Sequence, residues 1–219
     1  MMNFNFGEKQ SYVSTSKATL KPWEIHSVVL KECKYETIKG KKDPNSEYEV
    51  IKFVFENETG QFTKMLFKPN PEDAVRGSRT TKSGHTIPTP SNVDYFINTI
   101  GQILTCVSQE TLKKLTSKTT SFDVLGKFLE KELANVKDKQ VAIKLIGDEK
   151  GMPKFPYFLS FFEGDTDPSI TDNFISDNIN KLAFSAYQLQ QKEKIQNAKP
   201  SNISSTATAS SNSIDLDEL

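Results

Sequence analysis

Cysteine and histidine are scarce in this chain, with two of each among 219 residues. Cys33 and Cys106 stand far apart, so a multi-bridge disulfide framework and a four-cysteine zinc site are both excluded, and reduced buried thiols are expected. A mixed zinc site would need both thiols and both imidazoles, His26 and His85, and none of these is paired at the short spacing that zinc fingers use. Long apolar runs are missing too. No segment approaches the roughly 20 residues of a membrane-spanning helix, and Met1-Met2-Asn3-Phe4-Asn5-Phe6 has neither the basic nor the apolar part of a secretory signal. The expectation is a soluble cytoplasmic protein without a membrane partner. An excess of one charge sign is also absent: 28 Lys+Arg balance 28 Asp+Glu.

That balance is uneven along the chain. Residues 1 to 160 hold 24 Lys+Arg and 19 Asp+Glu, or 24 − 19 = +5, whereas residues 161 to 219 hold 4 and 9, or 4 − 9 = −5. Such asymmetry between halves is a recognised hint of a basic body with an acidic tail, where the total taken alone argues against a nucleic-acid partner, and five charges either way also arise without any function.

Period-two alternation marks the first part of the chain. Ile25 to Tyr35 is rich in Val, Ile and aromatics. Tyr48 to Phe55 places Ile51, Phe53 and Phe55 on one face and Tyr48, Val50, Lys52 and Val54 on the other. Asn57-Glu58-Thr59-Gly60 supplies a turn before Gln61 to Lys68, so three antiparallel strands are expected. The first two are joined by the polar connection Lys39 to Ser46. Residues 69 to 92 carry Pro69, Pro71, Pro88 and Pro90 and read as a long loop, neither helix nor strand.

Ser91-Asn92-Val93-Asp94 resembles a capping box, and Val93, Phe96, Ile97, Ile100, Ile103, Leu104 and Val107 follow at helical spacing, predicting a helix over 92–107. Shorter helices are predicted over 109–115 and 121–133. Two more strands, 140–146 and 155–162, flank the turn Gly147 to Gly151. Beyond Glu163 an acidic stretch leads to a helix over about 178–197, which Lys199-Pro200 ends. Residues 200 to 213 are Ser, Asn, Thr and Ala rich and read as a flexible tether for Ile214 to Leu219.

Catalytic signatures are missing. There is no phosphate-binding Gly-x-x-x-x-Gly-Lys-Ser/Thr loop, no Gly-x-Ser-x-Gly elbow and no His-Glu-x-x-His. Glu32-Cys33-Lys34 matches the second half of an Asp…Glu-x-Lys nuclease site, but the first Asp is Asp43, leaving only Glu8 or Glu24 upstream. The chain reads as a non-enzyme with no cofactor and no metal.

Cations beside aromatics recur instead. Single strands are gripped by such a combination, because phosphates need cations while splayed bases stack on exposed rings. The stacking candidates are Trp23, Tyr35, Tyr48, Phe62 and Tyr157, and the phosphate candidates are Lys34, Lys41, Lys42, Lys52, Lys64, Arg76, Arg79, Lys82 and Lys154. The ordinary reading stands beside each: Phe mostly fills cores, alternation puts Lys next to Phe on any half-buried sheet, and Tyr and Trp serve as core-edge residues. The terminal Asp215, Leu216, Asp217, Glu218 and Leu219 admit three readings: a peptide that docks on partner proteins, a mimic of nucleic acid folding back on the body, or a solubilising end. Partner docking is favoured.

The lead-in Phe4-Asn5-Phe6-Gly7, the segment Leu20-Lys21-Pro22-Trp23, the Tyr48 to Phe67 hairpin and the helix before the closing hairpin together resemble the phage-type single-stranded DNA-binding proteins over roughly residues 1 to 162. Ile214 to Leu219 is similar to the acidic tips of bacterial and phage members, ending in Leu219 where many relatives end in Phe. The resemblance implies a mainly β fold with a helical insertion, a five-stranded OB-type barrel built as three strands, helices and two strands. It divides the chain into an N-terminal extension (1–19), a barrel domain (20–163) with its helical insertion at about 91–134, an acidic linker with a C-terminal helix (164–199) and a flexible tail (200–219). It implies sequence-independent binding of single-stranded DNA in replication or recombination, with the tip recruiting partner proteins and homo-oligomerisation left open. The rival expectation is a structural or assembly protein of a virion, whose barrel binds another protein.

Overall fold

The computed structural model describes residues 17–40, 43–70, 72, 77–80, 86–89, 91–115, 121–136, 139–156 and 173–198. Alternation and β-branched content give β1 (Glu24–Lys39), β2 (Glu47–Glu56) and β3 (Gln61–Phe67), a consecutive antiparallel meander. Asn57 closes the β2–β3 turn: its Oδ1 accepts from Thr59 N at 2.9 Å and Gly60 N at 3.0 Å. The first strand is longer than its apolar run. Its 16 residues carry a bulge between Leu30 and Glu32, and its two halves have different partners, β6 (Gln140–Gly147) for Glu24–Val29 and β2 for Val29–Lys39. A bulge adds bend and twist, which lets one strand serve two parts of a curled sheet.

The Asp148 turn then leads from β6 to β7 (Pro153–Lys154), with Asp148 N–H donating to Met152 O at 2.9 Å and Gly151 at φ 79°, where glycine is favoured. The sheet order is β3-β2-β1-β6-β7, and the fold is mainly β with helices set between β3 and β6, as expected. Among the described residues no ladder joins β3 to β7, so the sheet is open. Its ends nevertheless approach through side chains: Phe155, just past β7, lies 4.9 Å from Phe62 of β3 and 6.0 Å from Phe55 of β2, centroid to centroid.

The stretch 69–92 holds a two-stranded ribbon, β4 (Gly77–Thr80) and β5 (Thr86–Thr89). Pro88 sits within β5 because both strands of a two-stranded ribbon are edges, where a missing N–H need not break a ladder bond. The acidic stretch also carries a sixth strand in the main sheet, β8 (Ile175–Ser176), paired with β6, and Phe174 and Ile175 belong to the core. The last helix accordingly starts later than predicted, at Ala186, after a 3-10 turn (Ile179–Lys181) capped by Asn178. Of the predicted strand 155–162, only Phe155 and Pro156 are described, and both are buried.

The helices α1 (Asn92–Val107), α2 (Gln109–Leu115) and α3 (Phe122–Leu133) match the periodicity closely. The capping box is formed: Asp94 N donates to Ser91 Oγ at 3.0 Å and Ser91 N donates to Asp94 Oδ2 at 2.9 Å. Such a cap contributes about 1 kcal/mol. Ile100, Ile103, Leu104, Leu129 and Leu133 cover Phe53, Phe55, Ile143 and Leu145 in one core, each side chain contributing about 1.5–3 kcal/mol on burial. The last helix, α4 (Ala186–Ala198), is largely polar, with its few large apolar residues Tyr187, Leu189 and Ile195 not gathered on one face. The segment before it is tied to the sheet by Lys144, a fully buried residue of β6 whose Nζ donates to Ala183 O at 2.7 Å. Both cysteines are free and buried, and burial pushes the Cys33 thiol up to about 12.

Candidate nucleic-acid interface

The register of β1, β2 and β3 decides which side chains share a face. Ile51, Phe53 and Phe55 pair with Tyr35, Cys33 and Leu30 on one side and with Leu66, Lys64 and Phe62 on the other, and this face is covered by helices and core. On the opposite face lie the rows Lys34–Lys52–Met65, Glu36–Val50–Phe67 and Ile38–Tyr48, with Val50 itself fully buried among its neighbours. Here Tyr48 is 47% exposed, Phe67 50% and Met65 40%, three large apolar side chains on adjacent strands. The Tyr48 and Phe67 rings meet edge to face, 6.2 Å apart at 84°. Gly40 admits Tyr48 closely: a Cβ there would lie 3.1 Å from its Cε2.

The charges on this face are shared. Lys34 lies 3.0 Å from Glu36, and Lys52 lies 3.5 Å from Glu36 and 3.6 Å from Glu32. Lys34 and Lys52 are directly opposite in register, a repulsive placement for like charges that Glu36 offsets. The hydrogen bond from Lys34 holds the Glu36 carboxyl below its ordinary range, and the same bond raises Lys34. Two lysines and two glutamates make the face electrically neutral.

The predicted site residues therefore separate. Tyr48, Lys34 and Lys52 come together on the exposed face. Tyr35 faces the other way, beneath α3, 6.1 Å from the Phe122 ring, with its hydroxyl donating to Glu49; that bond raises the phenol to about 12. Phe62 is only 4% exposed, so its ring serves the core and offers no face to a base. Lys64 shares the covered face, its Nζ 3.3 Å from the Tyr95 hydroxyl and 5.0 Å from that ring's centroid. Desolvation, followed by the Lys154 charge, lowers its amine to about 8.

Trp23 lies at the opposite end of β1 from Tyr48, a separation of up to about 50 Å along a fully extended strand. In the turn Lys21-Pro22-Trp23-Glu24, Trp23 has φ 63°, at the position where a type II turn takes Gly. This costs on the order of 1–3 kcal/mol. The neighbours that enforce it are His26, whose Nε2 lies 2.8 Å from Lys21 O, and Leu145, whose carbonyl accepts from Trp23 N at 2.8 Å. Lys154, half-buried, lines a cleft with Trp23. Arg79 belongs to β4, and nothing is described of its side chain. Lys41, Lys42, Arg76, Lys82, Tyr157 and the tip residues Asp215 to Leu219 lie outside the described residues.

Sequence reasoning missed Phe67 and Met65 as site residues. Their signal was present, because they alternate in phase with Tyr48, Val50 and Lys52 across the hairpin. Among the described residues there is no group of three His, Cys, Asp or Glu that could hold a metal ion, and no helix is long and apolar enough to cross a membrane. Comparison of the chain with protein-family models, with curated proteins and with solved structures gives no match.

Proposed function

We propose that this chain is a non-catalytic, sequence-independent single-stranded DNA-binding protein of replication or recombination, and that its curled sheet is an open OB-type barrel. The observation that supports the reading best is the exposed Tyr48–Phe67 ring pair on the outer face of β1–β3. Successive bases stack on such rings whatever their identity, and a sheet fixes the rings without further ordering cost. Lys34 and Lys52 lie on the same face, one row along the sheet from Phe67 and two rows from Tyr48, to meet phosphates. The acidic tip, whose reading rests on sequence alone, recruits partner proteins.

The experiment is an anisotropy titration of labelled oligothymidylate with the full chain and with Tyr48→Ala and Phe67→Ala. Each substitution should cost about 1–3 kcal/mol of binding. No binding at low salt, or unchanged affinity in both variants, overturns the assignment. A second reading, that the same face docks a protein during assembly, draws on the neutrality of the face, since a neutral apolar patch needs no polyanion. It predicts a stoichiometric protein complex that Phe67→Ala disrupts, with no salt-sensitive DNA affinity.

A further inference from the structure

The strained turn at Trp23 opens onto a cleft of about 320 Å³ that the outer-face reading does not use. It lies between the β6–β7 turn and α4, and its walls include Trp23, Glu149, Lys154, Tyr187 and Gln191. Trp23 is the only non-glycine residue with positive φ among the described residues. A bulky residue where glycine is expected marks a position whose side chain is wanted in place. The indole seats against Gly147, where a Cβ would stand 2.6 Å from Nε1, so that glycine is what lets the ring lie over the strand end. Phe184 supports the indole at 6.3 Å. On the facing element, Tyr187 is 38% exposed.

Two aromatic side chains on separate elements, an amide, a carboxylate and an ammonium are the chemistry of nucleotide recognition. Rings take a base between them, an amide meets the base edge, a carboxylate accepts from sugar hydroxyls, and a lysine meets phosphate. The volume is at the lower end of small-molecule sites. We infer that this cleft binds one ribonucleotide, with the base against Trp23 and Tyr187, the ribose at Glu149 and the phosphate at Lys154. The site stands apart from the Tyr48–Phe67 face and does not depend on it.

Trp23 is the chain's single tryptophan, so its fluorescence reports on this cleft alone. Titration of the full chain with adenosine 5′-monophosphate should give saturable quenching. Ribose 5-phosphate should give none, and adenosine should bind about tenfold more weakly, the scale of one charge-assisted hydrogen bond. Lys154→Gln should bring the monophosphate down to the affinity of adenosine, while Tyr48→Ala leaves the titration unchanged. Absence of a saturable signal in both fluorescence and calorimetry overturns the assignment, as does an equal response to ribose 5-phosphate. Should Lys154→Gln fail to fold, the comparison of nucleotide with nucleoside on the native chain decides the phosphate contact. Quenching by the nucleotide without any binding of oligothymidylate would sink the outer-face reading and leave the cleft standing.

Discussion

Gly126 of α3 lies directly against the ring of Tyr35 on β1: a Cβ built on this glycine would come within 2.7 Å of Tyr35 Cγ. The helix approaches the sheet this closely only because that position has no side chain. The contact also seals one face of Tyr35, which together with Phe122 removes it from the surface that sequence reasoning assigned to it.

Two glycines in helices should therefore respond oppositely to the same change. Gly126→Ala forces the ring or the helix to move and should lose about 1–2 kcal/mol, since overpacking outweighs the gain in helix propensity. Gly101→Ala in α1 meets nothing within 4 Å and should gain about 0.5–1 kcal/mol. Urea denaturation of the two variants checks the pair, and equal shifts would refute the close approach.

Phe62 and Tyr48 should separate stability from binding. Phe62→Ala empties a position in contact with Phe155 and should cost about 3–5 kcal/mol of folding stability. Tyr48→Ala should stay within about 1 kcal/mol of the native stability, because its ring is half exposed, and should act on DNA affinity instead. Thermal melts beside anisotropy titrations distinguish the two.

Glu36 competes with phosphate for both Lys34 and Lys52. Glu36→Gln should strengthen oligothymidylate binding by about threefold to tenfold at low salt and steepen its salt dependence, because Lys34 loses its carboxylate partner and Lys52 keeps only Glu32. A weaker complex would show that Glu36 orients the lysines productively rather than masking them.

Lys64 predicts a rise in stability between pH 8 and 9. Its folded amine titrates at about 8 against 10.5 for an ordinary lysine, so the penalty for charging it is complete below pH 8. Above that pH the unfolded chain holds more protons than the folded one, and stability climbs. Cys33 opposes this from pH 9 upward: its folded thiol is raised from 9.0 to about 12, so its contribution is full below pH 9 and is lost as pH rises toward 12. Lys64→Met should add about 1–2 kcal/mol at pH 7, discounted for partial solvent screening, and abolish the rise. Urea unfolding at pH 7, 8 and 9 measures both.

Those parts of the fold that neighbours in the chain can enforce were legible in the amino-acid order alone. The β2–β3 hairpin follows from alternation around Asn57 to Gly60, α1 from Ser91 and Asp94 with its apolar spacing, and the β6–β7 turn from Gly147 to Gly151. These need only local hydrogen bonds and one amphipathic face. Both faces of β2 carry apolar residues, so alternation left open which face the helices would cover. Tertiary structure decided that: α3 went down on Tyr35, Phe62 entered the core, and Tyr48 and Phe67 remained outside. It also drew Phe174 into the core, its N–H donating to Gln102 Oε1 from 72 residues away. Such pairings are set by the total apolar area that closes around one core, and no local window of sequence contains that quantity.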